Sequence, residues 1–255
     1  MTRYGRVEHN GRSCWGRIEN DDFVVLDTVP WEDSSETGEV LVLTECRLLA
    51  PAVPSKVVLV GLNYREHIEE SQSANDVPEE PVIFLKPPTA VIGPSDEIPY
   101  PSHLDRVDYE GELAAVIGNE IHRADEDTAR SAIFGYTCLN DVTARSLQKK
   151  DVQWTRAKGF DGFAPIGPWI ETDIDPLDLK IETFLNGELR QSSRTSFQIW
   201  NVYDLVSFIS HVMTLLPGDV ISTGTPKGVG PMRPGDTVRI TIENIGTLEN
   251  KVAGR

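Results

Sequence analysis

With 255 residues, 39% of them hydrophobic and 25% charged, the chain has room for one or two domains. It can bury roughly 70–75% of its unfolded surface, which excludes wholesale disorder and any need for stapling. Forty acidic residues against 24 Lys and Arg give a formal net charge of −16. That field repels phosphate backbones and anionic lipid, so nucleic acid and membranes are excluded as main partners, and a small anion needs local cations or a metal. The cysteines Cys14, Cys46 and Cys138 are scattered without metal spacing, the start lacks an apolar leader, and no apolar run approaches the ~18 residues of a span, so a reduced cytoplasmic protein is expected.

In chain order, residues 1–50 read as a small β-rich module, with alternating stretches at Ser13 to Ile18 and Phe23 to Asp27 around a polar turn. Two prolines between Leu49 and Ser55 mark the linker, placing a small N-terminal domain at 1–52 and the main body at 53–255. Lys56 to Val60 and Val82 to Leu85 are short apolar runs bounded by breakers, as buried strands are. Asp125 to Ile133 reads as a short helix with acids in its first turn. Asn186-Gly187 predicts a tight hairpin after Lys180 to Leu185. Asn201 with Asp204 opens an amphipathic helix carrying Val202, Leu205, Val206, Ile209, Met213 and Leu216, which Pro217-Gly218 would stop. A last hairpin joins Thr237 to Ile242 with Thr247 to Val252. Strands linked by hairpins rather than by regular helices predict a mixed, β-rich α+β fold.

The chemistry concentrates in a few segments. If Asp108 to Ile117 is a strand, Asp108, Glu110 and Glu112 share a face, and like charges that close need a cation unless the strand is an exposed edge. Leu113 to Ile117 argues against an edge. Asp141 ends another apolar stretch, and three carboxylates without a nearby His or Cys suit a hard cation, Mg²⁺ or Mn²⁺ and also Ca²⁺, with open positions for a chelating ligand. A local helix from Asp141 would align it with Arg145 and Gln148, where a cation and an amide could hold a carboxylate; a surface ion pair is the alternative. His67 with Glu70 at i+3 has the arrangement of a water-activating base, or of a plain helix contact. The polar stretch Ser71 to Glu80 after it has the composition of a lid. Thr223-Gly224-Thr225 lies in a Gly-rich loop that lacks the phosphate-binding GxxxxGK[ST] pattern and could present hydroxyls to a carboxylate.

Several segments in order, GLNYREH, PVIFLKPPTA, VDYEGELAAVIG, GYTCLNDVTAR, WTRAKGFDGFAPIGPWI, FLNGELRQ and LLPGDVISTGTPKGVG, resemble the fumarylacetoacetate hydrolase family. The likeness spans about Lys56 to Val252 and points to its smaller branch of acylpyruvate hydrolases, oxaloacetate decarboxylases and 2-hydroxyhepta-2,4-diene-1,7-dioate isomerases. It implies a β-rich roll of mixed sheets with a small β-rich N-terminal domain, in a homodimer. Carried over residue by residue, it implies Glu110, Glu112 and Asp141 as metal ligands and His67 with Glu70 as a dyad. Lys158 would polarise the reacting oxygen, and Arg145, Gln148 and Thr225 would bind a small anionic 2-oxo acid. The implied activity is metal-dependent C–C hydrolysis of acylpyruvate-like 2,4-dioxo acids through a chelated enolate. Isomerisation or decarboxylation on the same site is the alternative, and a non-enzymatic metal-binding protein a further one. Independently, 16 Arg against 8 Lys beside the acid excess fits either a surface adapted to high salt or a codon bias.

Overall fold

The computed structural model describes residues 1–71 and 77–254; residues 72–76 of the expected lid lie outside the described residues. A 12-stranded mixed sheet forms the frame. Its main path runs Glu36–Val42, Asp22–Leu26, Arg12–Glu19, Arg3–His9, Ala164–Glu171, Ile133–Asn140, Gly111–Ile117, Val220–Ser222, Val57–Gly61 and Val82–Lys86. A five-stranded sheet, with Lys180–Leu185, Glu188–Arg194, Thr237–Ile242 and Gly246–Val252 as its main strands, packs against it, and a three-stranded sheet contains Val107–Tyr109. The β-rich α+β expectation holds.

Gly111–Ile117 is the centre of this arrangement, and every residue of it is buried. Its two faces meet different partners. Leu113 and Ala115 pack with Ile181, Ile240 and Ile242 of the five-stranded sheet, while Ala114 and Val116 pack with Leu59, Leu139, Ile166 and Ile170. A strand covered on both sides carries a continuous apolar run in place of alternation, which is what Leu113 to Ile117 is.

The local signals correspond to elements with small differences at their ends. Asn186 (φ 53°) and Gly187 (φ 83°) adopt the left-handed pair that a two-residue hairpin requires. Helix α1 spans Arg65–Ser71 and α2 Glu126–Ala132, the latter capped by Asp125, whose side chain accepts from the Thr128 amide. Helix α3 spans Arg145–Lys150, α4 Thr155–Lys158 and α5 Val202–Val212. At the start of α5, Asn201 accepts from Tyr203 and Asp204 while the Asp204 side chain accepts from the Asn201 amide, a reciprocal cap. The helix ends before Leu216 because Leu215 leaves it to pair with Ile121 through two backbone hydrogen bonds of 2.9 and 3.0 Å. Helices α2 and α5 cover one sheet face through Ala129, Leu205, Val206 and Ile209 against Val58, Val60, Ile117 and Ile221.

The N-terminal strands are hydrogen-bonded into the same sheet. Arg3 and Tyr4 pair with Glu171 and Ile170, and the buried Glu171 carboxylate accepts from the Thr2 amide at 3.0 Å and from Arg3 Nε at 3.2 Å. Among the described residues, no helix is long and apolar enough to cross a membrane.

Candidate active site

Backbone register brings the acidic residues together. Gly111 pairs with Asn140 and Glu112 with Leu139, and just past that pairing the Asp141 amide donates to the Glu110 carbonyl at 2.9 Å. Asn140 Oδ1 accepts from the Glu110 amide at 3.0 Å, fixing the break between Val107–Tyr109 and Gly111–Ile117 at Glu110. Gly111 is required there: a Cβ on it would lie 2.2 Å from Thr183 Oγ1. Side chains, not a ligand, occupy the room this glycine leaves, since Gln191 Oε1 accepts from its amide at 3.0 Å.

Glu110, Glu112 and Asp141 are all buried and offer carboxylate oxygens within 4.8 Å of one another. They line a small cavity together with His67, Arg145, Gln148, Lys158 and Thr225, so eight of the nine residues singled out from sequence meet on one pocket. Glu70 is the ninth. It projects from α1 beside the pocket, 3.9 Å from His67 Nδ1, and accepts instead from the Gly228 amide at 2.8 Å. Asp108 leaves the acidic set, because both of its oxygens accept from Arg106 and Arg145 at 2.7–2.9 Å. The helix expected from Asp141 begins only at Arg145, since Thr143 and Ala144 pair with Asp108 and Val107. Asp141 therefore reaches the cavity from the end of a strand. Arg145 and Gln148 do lie one helical turn apart, with Arg145 Nη1 donating to Gln148 Oε1 at 2.6 Å. That bond leaves the Gln148 amide nitrogen to donate elsewhere. The Thr225 hydroxyl is spent within the protein, donating to the Gly111 carbonyl at 2.9 Å and accepting from Gln191 Nε2 at 2.8 Å.

The charges compensate unevenly. Lys158 Nζ donates to Glu110 Oε2 at 3.0 Å and to Asp141, and Arg145 Nη2 donates to Glu110 Oε1 at 2.5 Å. Burial alone would raise the Glu110 carboxyl, but Lys158, Arg145 and His67 outweigh it and hold it well below the usual carboxylate range. Among the described residues, Glu112 accepts from the Ser222 hydroxyl at 2.5 Å and the Gly224 amide at 2.9 Å and from no others. Burial and the neighbouring Asp141 push it well above that range. Burial lowers the His67 pKa from its usual value and so favours the neutral imidazole, opposed chiefly by Glu110, and Nδ1 has no hydrogen-bond partner among the described residues. Burial likewise lowers the Lys158 ammonium, but Asp141 and Glu110 more than restore it.

These residues fit a divalent cation. The donors are all oxygen, Glu112 has no cationic partner among the described residues, and Asp141 Oδ1 is met by Lys86 Nζ at 2.8 Å. Lys86, beside the acidic cluster, is a residue that the sequence reading passed over. It is fully buried, donates to the Val142 and Phe163 carbonyls at 2.8 and 2.6 Å, and has its pKa lowered to about 8 by burial. Its signal was faint: a lysine closing the apolar strand Val82–Lys86, on the same face as Phe84. Leu62 is also informative, because it holds a left-handed φ of 61° in the cavity wall, a conformation costing about 1–2 kcal/mol outside glycine.

A β-rich fold closing buried carboxylates, a buried histidine and a paired lysine into one pocket defines an enzyme of small acids. The chain belongs to the fumarylacetoacetate hydrolase family: the model described as fumarylacetoacetate (FAA) hydrolase C-terminal matches residues 56–253, and one described as Rv2993c-like, N-terminal, matches residues 2–51. Enzymes of this family commonly bind divalent metals. The structure of a 2-hydroxyhepta-2,4-diene-1,7-dioate isomerase from Mycobacterium marinum superposes with a TM-score of 0.92 at 46% identity, covering 100% of this chain and 99% of that one. Oxaloacetate tautomerase YisK of Bacillus subtilis is 44% identical over 82% of this chain and 74% of its own length. A 2,4-didehydro-3-deoxy-L-rhamnonate hydrolase of Sphingomonas sp. is 39% identical over 78% and 73%.

Proposed function

We propose that the protein is a divalent-metal-dependent hydrolase that cleaves a C–C bond in acylpyruvate-like 2,4-dioxo acids. The observation that carries this reading is His67, buried and without a hydrogen bond at Nδ1, on the same cavity as three carboxylates and Lys158. A cation held by Glu110, Glu112 and Asp141 would supply Lewis acidity toward a bound 2-oxo acid. The protein's own groups do the rest. Arg145 and the free amide of Gln148 orient the substrate carboxylate. His67 takes a proton from water, and Glu70 favours the imidazolium as it forms. The resulting hydroxide adds to the 4-oxo carbon, the C3–C4 bond breaks, and C3 takes a proton, giving a carboxylic acid and pyruvate. Lys158 donates to the reacting oxygen as charge develops on it. A homodimer in the cytoplasm using Mg²⁺ or Mn²⁺ belongs to the same reading.

A second reading has support from the relatives, one an isomerase by name and another an oxaloacetate tautomerase: proton transfer on the same bound acid without attack by water. Incubation with Mg²⁺ and acetylpyruvate, oxaloacetate or 2-hydroxyhepta-2,4-dienedioate, with His67→Ala in parallel, separates the two. Acetylpyruvate cleavage that His67→Ala abolishes supports the hydrolase. Turnover of the dienedioate alone, unchanged in His67→Ala, defeats it.

A further inference from the structure

The cavity is lined by two chemically distinct classes of group. The carboxylates with Arg145 and Lys158 make one; the apolar residues Val60, Leu62, Phe84 and Trp154 make the other. Phe84 and Trp154 meet edge to face, with ring centroids 5.3 Å apart and planes at 75°. Lys158 Nζ lies 4.8 Å from the Phe84 centroid, so this ring is held between an ammonium and an indole. Trp154 is seated against Gly61, where a Cβ would come within 2.9 Å of the indole. The same two rings border a second cavity, lined further by Val58, Ile83, Leu85 and Met213 and by the polar Gln153 and Thr155. Phe84 and Trp154 thus form a wall common to both cavities.

The two cations lining the first cavity, Arg145 and Lys158, are the ones assigned above to the 2-oxo acid head, and both already pair with carboxylates. Arg145 donates to Asp108, Glu110 and Gln148, and Lys158 to Glu110 and Asp141. Among the described residues lining the cavity there is no further cation to receive a second substrate carboxylate, and a buried charge without a partner is expensive.

We infer that the group carried beyond the 2-oxo acid head is short and uncharged, and that Phe84 and Trp154 set its length by closing the pocket against the second cavity. The inference rests on the 2-oxo acid reading above and deepens it, assigning Phe84 and Trp154 as specificity-determining residues.

Binding of non-cleavable homologues tests it without reference to which reaction follows. Calorimetric titration in Mg²⁺ compares pyruvate, 2-oxopentanoate, 2-oxooctanoate and 2-oxoglutarate, the last matching 2-oxopentanoate in length with a carboxylate at its end. The wild-type protein is expected to bind 2-oxopentanoate tightest and 2-oxoglutarate at least about tenfold more weakly. Trp154→Ala joins the two cavities, so preference moves toward 2-oxooctanoate; Phe84→Leu, a smaller change, moves it the same way should Trp154→Ala fail to fold. The inference is overturned if 2-oxoglutarate binds as tightly as 2-oxopentanoate, or if the ranking of chain lengths stays fixed in every variant that folds. Pyruvate binding with 2-oxoglutarate preferred overturns the inference alone. Failure of every acid, pyruvate included, removes the 2-oxo acid reading and the inference with it.

Discussion

His67 and Glu112 depend on burial in opposite ways. Desolvation favours the neutral imidazole, so the acidic limb of kcat/KM is expected below pH 6.5, where protonation removes the base. Stability follows the same sign. The unfolded chain binds the proton at higher pH than the folded one, so stability falls as pH drops from 6.5 through the folded value. His67→Gln is expected to lower kcat by about 10²- to 10⁴-fold and to remove that limb from the pH–rate profile. Glu112, without a cationic partner among the described residues, is where a bound cation relieves most strain. Mg²⁺ at a hundredfold over its Kd is expected to stabilise the wild-type fold by about 2.7 kcal/mol, and Glu112→Gln to flatten that response in thermal melts. The carboxylates were legible because acids beside apolar strand residues have few bland explanations. Lys86 was not, because one lysine after four apolar residues reads as a strand end meeting solvent.

Turns and caps depend on a few neighbouring residues, and for that reason they were readable in advance. Asn186-Gly187 and Asn201 with Asp204 specify their own geometry within four positions. The end of α5 was not readable, because it is decided by Ile121, a strand partner distant in sequence. Two substitutions probe elements at different distances from the chemistry. Asp125→Ala removes the exposed cap of α2 and should cost about 1 kcal/mol by denaturant titration, with Mg²⁺ affinity unchanged. Gly224 sits at φ 90°, where a Cβ would meet Asn63 Cβ at 2.9 Å and the Val60 carbonyl at 3.0 Å. Gly224→Ala should cost more than about 1 kcal/mol and weaken Mg²⁺ binding too, because the displaced amide is the one that holds Glu112.

The whole molecule carries its acid excess on a surface where many ion pairs, such as Arg12–Glu39 and Arg239–Glu249, are solvent-exposed and worth about 0–1 kcal/mol each. Screening weakens these pairs, but it also relieves the repulsion behind a net charge of −16, and on the salt-adapted reading the second effect is the larger. The melting temperature is expected to rise between dilute buffer and ~2 M KCl, where the Debye length falls to a few ångströms; equal values would remove the salt-adapted reading. Fold class was legible at this scale from the density of strand and hairpin signals. The joining of Arg3–His9 to Ala164–Glu171 was not, because pairing so far along the chain is set by register, which no local pattern records. Phe84 of the aromatic wall and Lys86 both belong to Val82–Lys86, the terminal strand of the sheet's main path, which among the described residues pairs only with Val57–Gly61. A ruler mounted on an outermost ribbon responds to whatever steadies that ribbon. Amide hydrogen exchange along Val82–Lys86 should therefore slow when the pocket fills, giving a solvent-labelling signal of occupancy that needs no turnover.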